Sequence, residues 1–215
     1  MDDEAILIRS ARSGDREAFG RLVQLYQRPV FSLAYRMLGS APDAEDAAQE
    51  SFLRAYRALG GYDSGRAFST WLLSIAAHHC IDRIRRKRMH ELSLDAVPQD
   101  CWRSASDAGP EASVERRAEA ERVGRCLAAL PEDYRLVVVL RYWHDMGYAD
   151  IARILGESES AVKSRLHRAR LRLAELLPAA DGRGEAPRPR SSDGSSHADG
   201  GDGEVSKWSA NARAI

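Results

Sequence analysis

No unbroken apolar stretch in the sequence is longer than Leu136 to Leu140. A membrane-spanning helix needs roughly 20 such residues, so no span is expected. Cysteine is scarce: Cys80, Cys101 and Cys126 are scattered and odd in number. With no CxxC pair and no Cys/His run at zinc spacing, neither a disulfide framework nor a metal site is expected. Net charge is absent too. Its 32 basic residues balance 32 acidic ones, so bulk charge gives no support to a nucleic-acid partner. The start, Met1-Asp2-Asp3-Glu4, lacks the basic lead of a secretory signal, and a cytoplasmic protein is expected. No segment alternates as a half-buried strand would, and no internal repeat is found. What remains is a composition ordinary for a folded chain, 44% apolar.

Charge of each sign is present but segregated. Arg83, Arg85, Arg86, Lys87 and Arg88 crowd one short stretch. Lys163, Arg165, Arg168, Arg170 and Arg172 crowd another, with no acid from Ser160 to Ala174. Asp43, Glu45, Asp46 and Glu50 form an acidic cluster. Such segregation points to separate patches for separate partners.

Helical periodicity runs from about Glu4 to Met89 and again from about Glu111 to Leu177, where Pro178 stops it. Between them, residues 91–110 read as a flexible linker broken by Pro98, Gly109 and Pro110. Residues 179–215 are rich in Gly, Ser, Asp and Pro, and read as a disordered tail. The expected fold is all-α: two small helical domains, 1–90 and 111–178, joined by the linker.

Pro42-Asp43-Ala44-Glu45-Asp46 reads as a helix start, with acids in the first turn favoured by the helix dipole. Stepping 100° per residue puts Ala44, Ala47, Ala48, Phe52, Ala55 and Leu59 on one face. Asp43, Asp46, Gln49, Glu50, Leu53 and Arg54 fall on the other. Charges alone make a solvated face. A leucine within them makes a protein-docking surface.

A second helix spans about Ser69 to Arg88. Leu73, Ala77, Cys80, Ile81 and Ile84 form its core stripe, and Trp71, Ile75, His78, Asp82, Arg85 and Arg86 lie opposite. Rings and cations on one face suit single-stranded nucleic acid, because bases stack on rings while cations follow phosphates. The alternative is that Trp71 and Ile75 pack against another helix. His78 and His79 point about 100° apart, so they do not share a metal ion; the i, i+4 spacing of a helical His pair is missing.

The second domain carries the sharpest local pattern. Leu130-Pro131-Glu132-Asp133 starts a helix. Gly147 to Leu155 gives a short helix closed by Gly156. Ser158 or Ser160 can cap the longer helix that follows. This is a helix-turn-helix. In its long helix Val162, Leu166, Ala169, Leu173 and Leu177 make the buried stripe. Ser160, Lys163, Ser164 and His167 point outward near the N-terminus, where base edges are met, and Arg165, Arg168 and Arg172 suit phosphates. A basic surface helix of a bundle is the alternative.

Three stretches together resemble the extracytoplasmic function sigma factors of the sigma-70 family. Asp43 to Phe52 is similar to their core-polymerase-binding helix. Phe68-Ser69-Thr70-Trp71-Leu72-Leu73-Ser74-Ile75-Ala76, with Asp82, Arg85 and Arg86, resembles their promoter-melting helix. Leu130-Pro131-Glu132-Asp133-Tyr134-Arg135 and the helix-turn-helix resemble their upstream-element domain. The resemblance covers nearly all of residues 4–177. It implies a promoter-specificity subunit and no enzymatic activity or cofactor. Asp43, Asp46, Gln49, Glu50 and Leu53 would dock on the β′ clamp helices of core RNA polymerase. Tyr62, Phe68, Trp71, His78, Asp82, Arg85 and Arg86 would hold the unwound −10 element of promoter DNA, with one base flipped out. The second domain would read the −35 element through Ser160, Lys163, Ser164, Arg165, His167, Arg168 and Arg172, and touch the β flap. Members commonly carry Asn where this chain has His78, and are typically restrained by an anti-sigma factor.

Two rival readings leave residues unused or unplaced. A stand-alone helix-turn-helix regulator gives the acidic helix and the Trp71 helix no purpose. A metal-dependent phosphohydrolase built on His78, His79, Asp82 and the 43–50 acids lacks a ligand geometry and a glycine-rich phosphate loop.

Overall fold

Eight α-helices and no strand make up the described residues, 2–93 and 114–176, of a computed structural model. The first domain holds α1 (Asp2–Arg12), α2 (Arg16–Leu38), α3 (Ala41–Ala58), a 3-10 turn (Leu59–Gly61) and α4 (Phe68–Ser93). The second holds α5 (Val114–Ala128), α6 (Glu132–Tyr142), α7 (Tyr148–Leu155) and α8 (Glu159–Leu176). The all-α, two-domain expectation is met. Most of the expected linker and all of the expected tail lie outside the described residues. The basic helix runs to Ser93 rather than ending near Arg88. Met89, Glu91 and Leu92 are good helix formers, and no breaker comes before Pro98.

Local chemistry sets the helix ends. Asp15 caps α2, its Oδ1 accepting from the Glu17 and Ala18 amides at 2.9 and 3.1 Å. Gly39 closes α2 at φ 75°, a conformation that glycine adopts without cost. Ser40 then caps α3, its hydroxyl 3.4 Å from the Asp43 amide.

The long helix α2 sits at the centre of the first domain, against α1, α3 and α4. The inner face of α3 is small: Ala44, Ala47, Ala48, Ser51 and Ala55 are buried, letting α2 approach closely. Leu59 is buried with them as expected, and Phe52 is half-buried. The Ser51 hydroxyl donates to the Ala47 carbonyl at 2.6 Å, so this buried polar group is satisfied. Leu22, Leu33 and Leu72 are fully enclosed. Burying one such side chain contributes about 1.5–3 kcal/mol.

The helix α4 is buried more widely than the expected stripe. Leu72, Ala76 and His79 are inside as well as Leu73, Ala77, Cys80 and Ile81, while Ile84 is half-buried. α4 packs against both α2 and α3 of its own domain, and it also touches α6 and α7 of the second. Burial pushes the Cys80 thiol up to about 12, which keeps it protonated.

In the second domain the whole run Leu136 to Leu140 is buried, as its apolarity demands. Gly156 closes α7 at φ 68°. Ser158, rather than Ser160, caps α8: its hydroxyl accepts from the Ala161 amide at 3.2 Å. Val162, Leu166, Ala169 and Leu173 form the buried stripe of α8, and Leu177 lies outside the described residues. The two domains are also in contact, with α2 against α5 and α6, and α4 against α6 and α7.

Candidate functional site

Three faces gather the residues singled out in the sequence. The first is the outer side of α3. Leu53 is 52% exposed, as single leucines on a surface often are. It is not isolated. An open groove of about 520 Å³ runs beside it between α2 and α3, lined by Phe19, Val23, Phe52, Leu53 and Tyr56, with Gln49 and Arg16 at its edges. Phe19 meets Tyr56 edge-on, with ring centroids 4.9 Å apart. Phe19 and Val23 of α2 were missed in the sequence because nothing in α3 announces its neighbour.

The acids of this face differ among themselves. Asp43 forms a close ion pair with Arg83 of α4, and Asp46 lies 3.6 Å from the same guanidinium. Glu50 pairs with Arg54 one turn on, at 2.8 Å, and that hydrogen bond holds its carboxyl below the usual carboxylate range. Gln49 and Asp46 are exposed, and Asp43 and Glu50 half-buried. Exposed pairs of this kind are weak, so a partner can exchange them for its own cations.

The second face is the start of α4 and the loop before it. Trp71 is half-buried, but Tyr62 is 5% and Phe68 2% exposed. Tyr62, Phe68 and Trp71 contact one another at ring-centroid distances of 5.0 to 5.4 Å, and Tyr26 of α2 adds its ring to Phe68 at 5.4 Å. The rings of Tyr62 and Phe68, both expected at the −10 strand, are packed against each other and against Trp71 in this structure. They fix the loop. The Tyr62 hydroxyl donates to the Arg66 carbonyl. Asp63 accepts from the Gly65 amide at 2.9 Å, tightening the turn between them. Along α4, His78, Asp82, Arg85 and Arg86 are all exposed. The His78 ring Nδ1 is 2.7 Å from the Ser74 carbonyl, which leaves its other nitrogen outward. His79 is buried, so the two histidines face apart as their spacing requires. Arg85 reaches the second domain, 3.3 Å from Glu132 and 3.5 Å from Asp133.

The third face is the outer side of α8. Ser160, Lys163, Ser164, His167, Arg168 and Arg172 are exposed. Arg165 is half-buried and forms a close pair with Glu157, so it is less free for a phosphate than the sequence suggested. An open pocket of about 420 Å³ lies between α8 and the start of α6, lined by Tyr134, Ser160, Ser164, Arg165 and Arg168. Two tyrosines missed in the sequence steady the cations. The Lys163 ammonium lies 5.4 Å from the Tyr148 ring centre, and Arg172 lies 5.7 Å from that of Tyr134. Both rings come from other helices, so no spacing within α8 points to them.

No helix among the described residues is long and apolar enough to cross a membrane. A helical domain with an open apolar groove, followed by a helix-turn-helix unit with an outward basic helix, is the architecture of a DNA-binding protein. The family description "Sigma-70 region 2" matches residues 22–89, and "Sigma-70, region 4" matches residues 120–173. The chain is 36% identical over 177 residues to the ECF RNA polymerase sigma factor SigW of Bacillus subtilis, covering 79% of this chain and 94% of that one. It is 36% identical over 175 residues to SigM of Mycobacterium tuberculosis, covering 81% and 84%. Among solved structures, CnrH in complex with the cytosolic domain of CnrY is similar at 30% identity with a TM-score of 0.59, covering 83% of this chain and 99% of that one. The sigma factor RpoE of Bartonella quintana, in complex with the anti-sigma factor NepR, shares the fold at 23% identity with a TM-score of 0.64, covering 76% and 98%. The chain belongs to the extracytoplasmic function sigma factors of the sigma-70 family. It is a transcription initiation factor, not an enzyme.

Proposed function

We propose that this chain docks on core RNA polymerase through the Leu53 groove, and directs initiation by holding a −10 strand on α4 and reading a −35 duplex with α8. The observation that carries the reading is the groove itself. An exposed leucine continuous with Phe19, Phe52 and Tyr56, edged by Gln49 and Arg16 and on the same helix as the exposed Asp46 and the half-buried Glu50, supports a protein partner with apolar and polar side chains. The β′ clamp helices are that partner, and the β flap receives the second domain. Trp71, His78, Asp82 and Arg86 take the unwound strand, while Tyr62 and Phe68 hold the loop that frames the flipped base. Lys163, His167, Ser160 and Ser164 meet base edges, and Arg168 and Arg172 meet phosphates. The chain works in the cytoplasm. The Bartonella RpoE is solved in complex with the anti-sigma factor NepR and CnrH with the cytosolic domain of CnrY, and control by an anti-sigma factor is proposed here as well.

The test is a pull-down of core polymerase with the double variant Asp46→Lys, Glu50→Lys. Its affinity for core should fall about tenfold or more, ~1.4 kcal/mol or above. Far-ultraviolet circular dichroism should stay at the parent value, because both side chains lie on the outer face. Unchanged core affinity would remove this face from the assignment.

A further inference from the structure

The loop before α4 leaves the helical core through Gly60 and Gly61 of the 3-10 turn. A side chain built on either glycine would meet nothing within 4 Å, so packing does not hold this turn. Glycine also leaves the backbone free to swing. The hold comes from α1. The Arg12 guanidinium, at the end of α1, donates to the Gly60 carbonyl at 3.2 Å. At the other end of the loop, the Tyr26 ring of α2 lies 5.4 Å from that of Phe68, the first residue of α4. The Tyr26 hydroxyl donates in turn to the Glu4 carboxylate of α1 at 2.9 Å. Burial first, and Glu4 second, raise the Tyr26 and Tyr62 phenols above their ordinary 10, so both keep the protons they donate. The helix α1 is itself anchored. Ile8 and Ala11 are buried in the core, and Gly14 turns the chain at φ 99° into the Asp15 cap of α2.

Resting on the assignment of this loop and α4 to the −10 strand, we infer that α1 is a strap that sets −10 selectivity, with Arg12 and Glu4 as its positioning residues. Arg12 fixes the entry of the base-holding loop. Glu4 fixes its exit, through Tyr26 and Phe68. Both hydrogen bonds carry a charged partner, which makes them stronger than neutral ones. They join positions 48 and 22 apart in the chain, so each ties the loop to the domain rather than to itself. A pocket that accepts one base and refuses the others needs its walls held to within about 0.5 Å. A loop that swings at Gly60 fits the wrong bases better and the right one worse. Arg12 is exposed, so its bond adds little to folding; what it sets is where the loop sits.

The experiment uses the holoenzyme of the full chain and core polymerase, with promoter DNA varied one base at a time in the −10 and −35 elements. Arg12→Ala and Tyr26→Phe should each lower discrimination at the −10 base that the parent selects most strongly. The expected loss is about two- to tenfold, the range that one hydrogen bond allows, with the −35 ranking kept. 2-Aminopurine at that −10 base reports its unstacking, and its signal should fall in the same variants. Arg12→Lys keeps a donor and should recover most of the loss. Arg9→Ala removes the same charge from an exposed position of α1 outside the contact, and should match the parent. Glu4→Ala added to Tyr26→Phe should cost nothing more, since the bond is already gone. Parent-like −10 discrimination in Arg12→Ala and Tyr26→Phe, with −10 binding weakened by Trp71→Ala, would overturn the strap and leave α4 on the strand. Equal losses at −10 and −35 would overturn it too, because they report a general loosening of the fold. Unchanged −10 binding in Trp71→Ala would instead remove the α4 assignment on which the strap rests.

Discussion

The two domains prepare their DNA faces in opposite ways. In the first, two of the aromatic side chains expected at the DNA, Tyr62 and Phe68, are packed inward. Tyr62 and Phe68 are buried in an aromatic cluster, and Tyr26 and Trp71 are half-buried around them. In the second, the polar side chains of α8 stand clear of the domain, with Val162, Leu166 and Ala169 beneath them. The difference follows from what each must hold. A single strand has no shape of its own, so the protein must supply a rigid loop, and a buried aromatic cluster makes one. A duplex brings its own groove, so the protein needs only a stable helix with side chains that protrude. One face is therefore paid for in stability, and the other costs the fold almost nothing.

The largest expected effect breaks this comparison most directly. Phe68→Ala removes a ring that is fully enclosed by Tyr62, Trp71 and Tyr26. Chemical denaturation should show a loss of about 3–5 kcal/mol. Lys163→Ala, on the exposed face of α8, should stay within about 0.5 kcal/mol of the parent. Similar losses for both would mean that the two faces are built alike.

The next effect concerns the contact between the domains. His144 follows α6, and its Nε2 is buried without a hydrogen-bond partner. Burial first, and the Arg36 guanidinium second, pull its ring down from 6.5 to about 4. The folded ring therefore stays neutral where the unfolded one takes a proton. Stability is complete above pH 6.5 and falls as the pH drops towards 4, because the unfolded state then binds more protons. The loss over that window is about 3 kcal/mol. His144→Phe should flatten the stability curve there, read by denaturant midpoints across pH. A curve of unchanged slope would place the acid sensitivity elsewhere.

How much of this was legible in the sequence depends on whether the partner of a residue lies nearby in the chain. The α3 and α8 stripes were legible because helical periodicity reports which side faces the core. The helix-turn-helix was legible because Gly156 and the serine cap are local signals. The burial of Tyr62 was not, because an aromatic residue in a loop gives no periodicity to say which way it faces, and Phe68 lay just outside the helix expected from about Ser69. Nor was the wider burial of α4, which packs against α2 and α3 from far earlier in the chain and also touches α6 and α7. The pairs Arg83 with Asp43 and Arg85 with Glu132 join charges some 40 and 47 positions apart, and nothing in either stretch names the other.

A smaller effect sharpens the division within α8. Lys163 and His167 project from its first turns, and Arg172 lies further along, over Tyr134. Losing a base contact typically costs about 1–3 kcal/mol at one base pair. Losing a phosphate contact weakens all sequences alike and lowers the salt slope by about one. Lys163→Ala or His167→Ala should therefore change which −35 base is preferred by the holoenzyme. Arg172→Ala should reduce affinity and salt dependence while keeping the ranking. A panel of single-base −35 variants at two salt concentrations measures both. A ranking altered by Arg172→Ala alone would reverse the placement of α8 in the groove.

The smallest expected effect tests how far the second face is preorganised. Tyr148, on the first turn of α7, lies between two cations. Its ring centre is 5.2 Å from the Arg141 guanidinium and 5.4 Å from the Lys163 ammonium. Such contacts are worth roughly 0.5–1 kcal/mol at exposed sites. Their use here is to limit where the flexible lysine points before DNA arrives, which reduces the ordering cost of the contact. Tyr148→Phe keeps the ring face and should leave −35 discrimination unchanged. Tyr148→Leu keeps the apolar bulk and loses the cation attraction, and should reduce discrimination at the base met by Lys163 by roughly two- to fivefold, the range that this energy allows. In the Lys163→Ala background the same change should have no further effect on discrimination, since the side chain it positions is gone. Additive losses in that double variant would mean that Tyr148 touches the DNA itself.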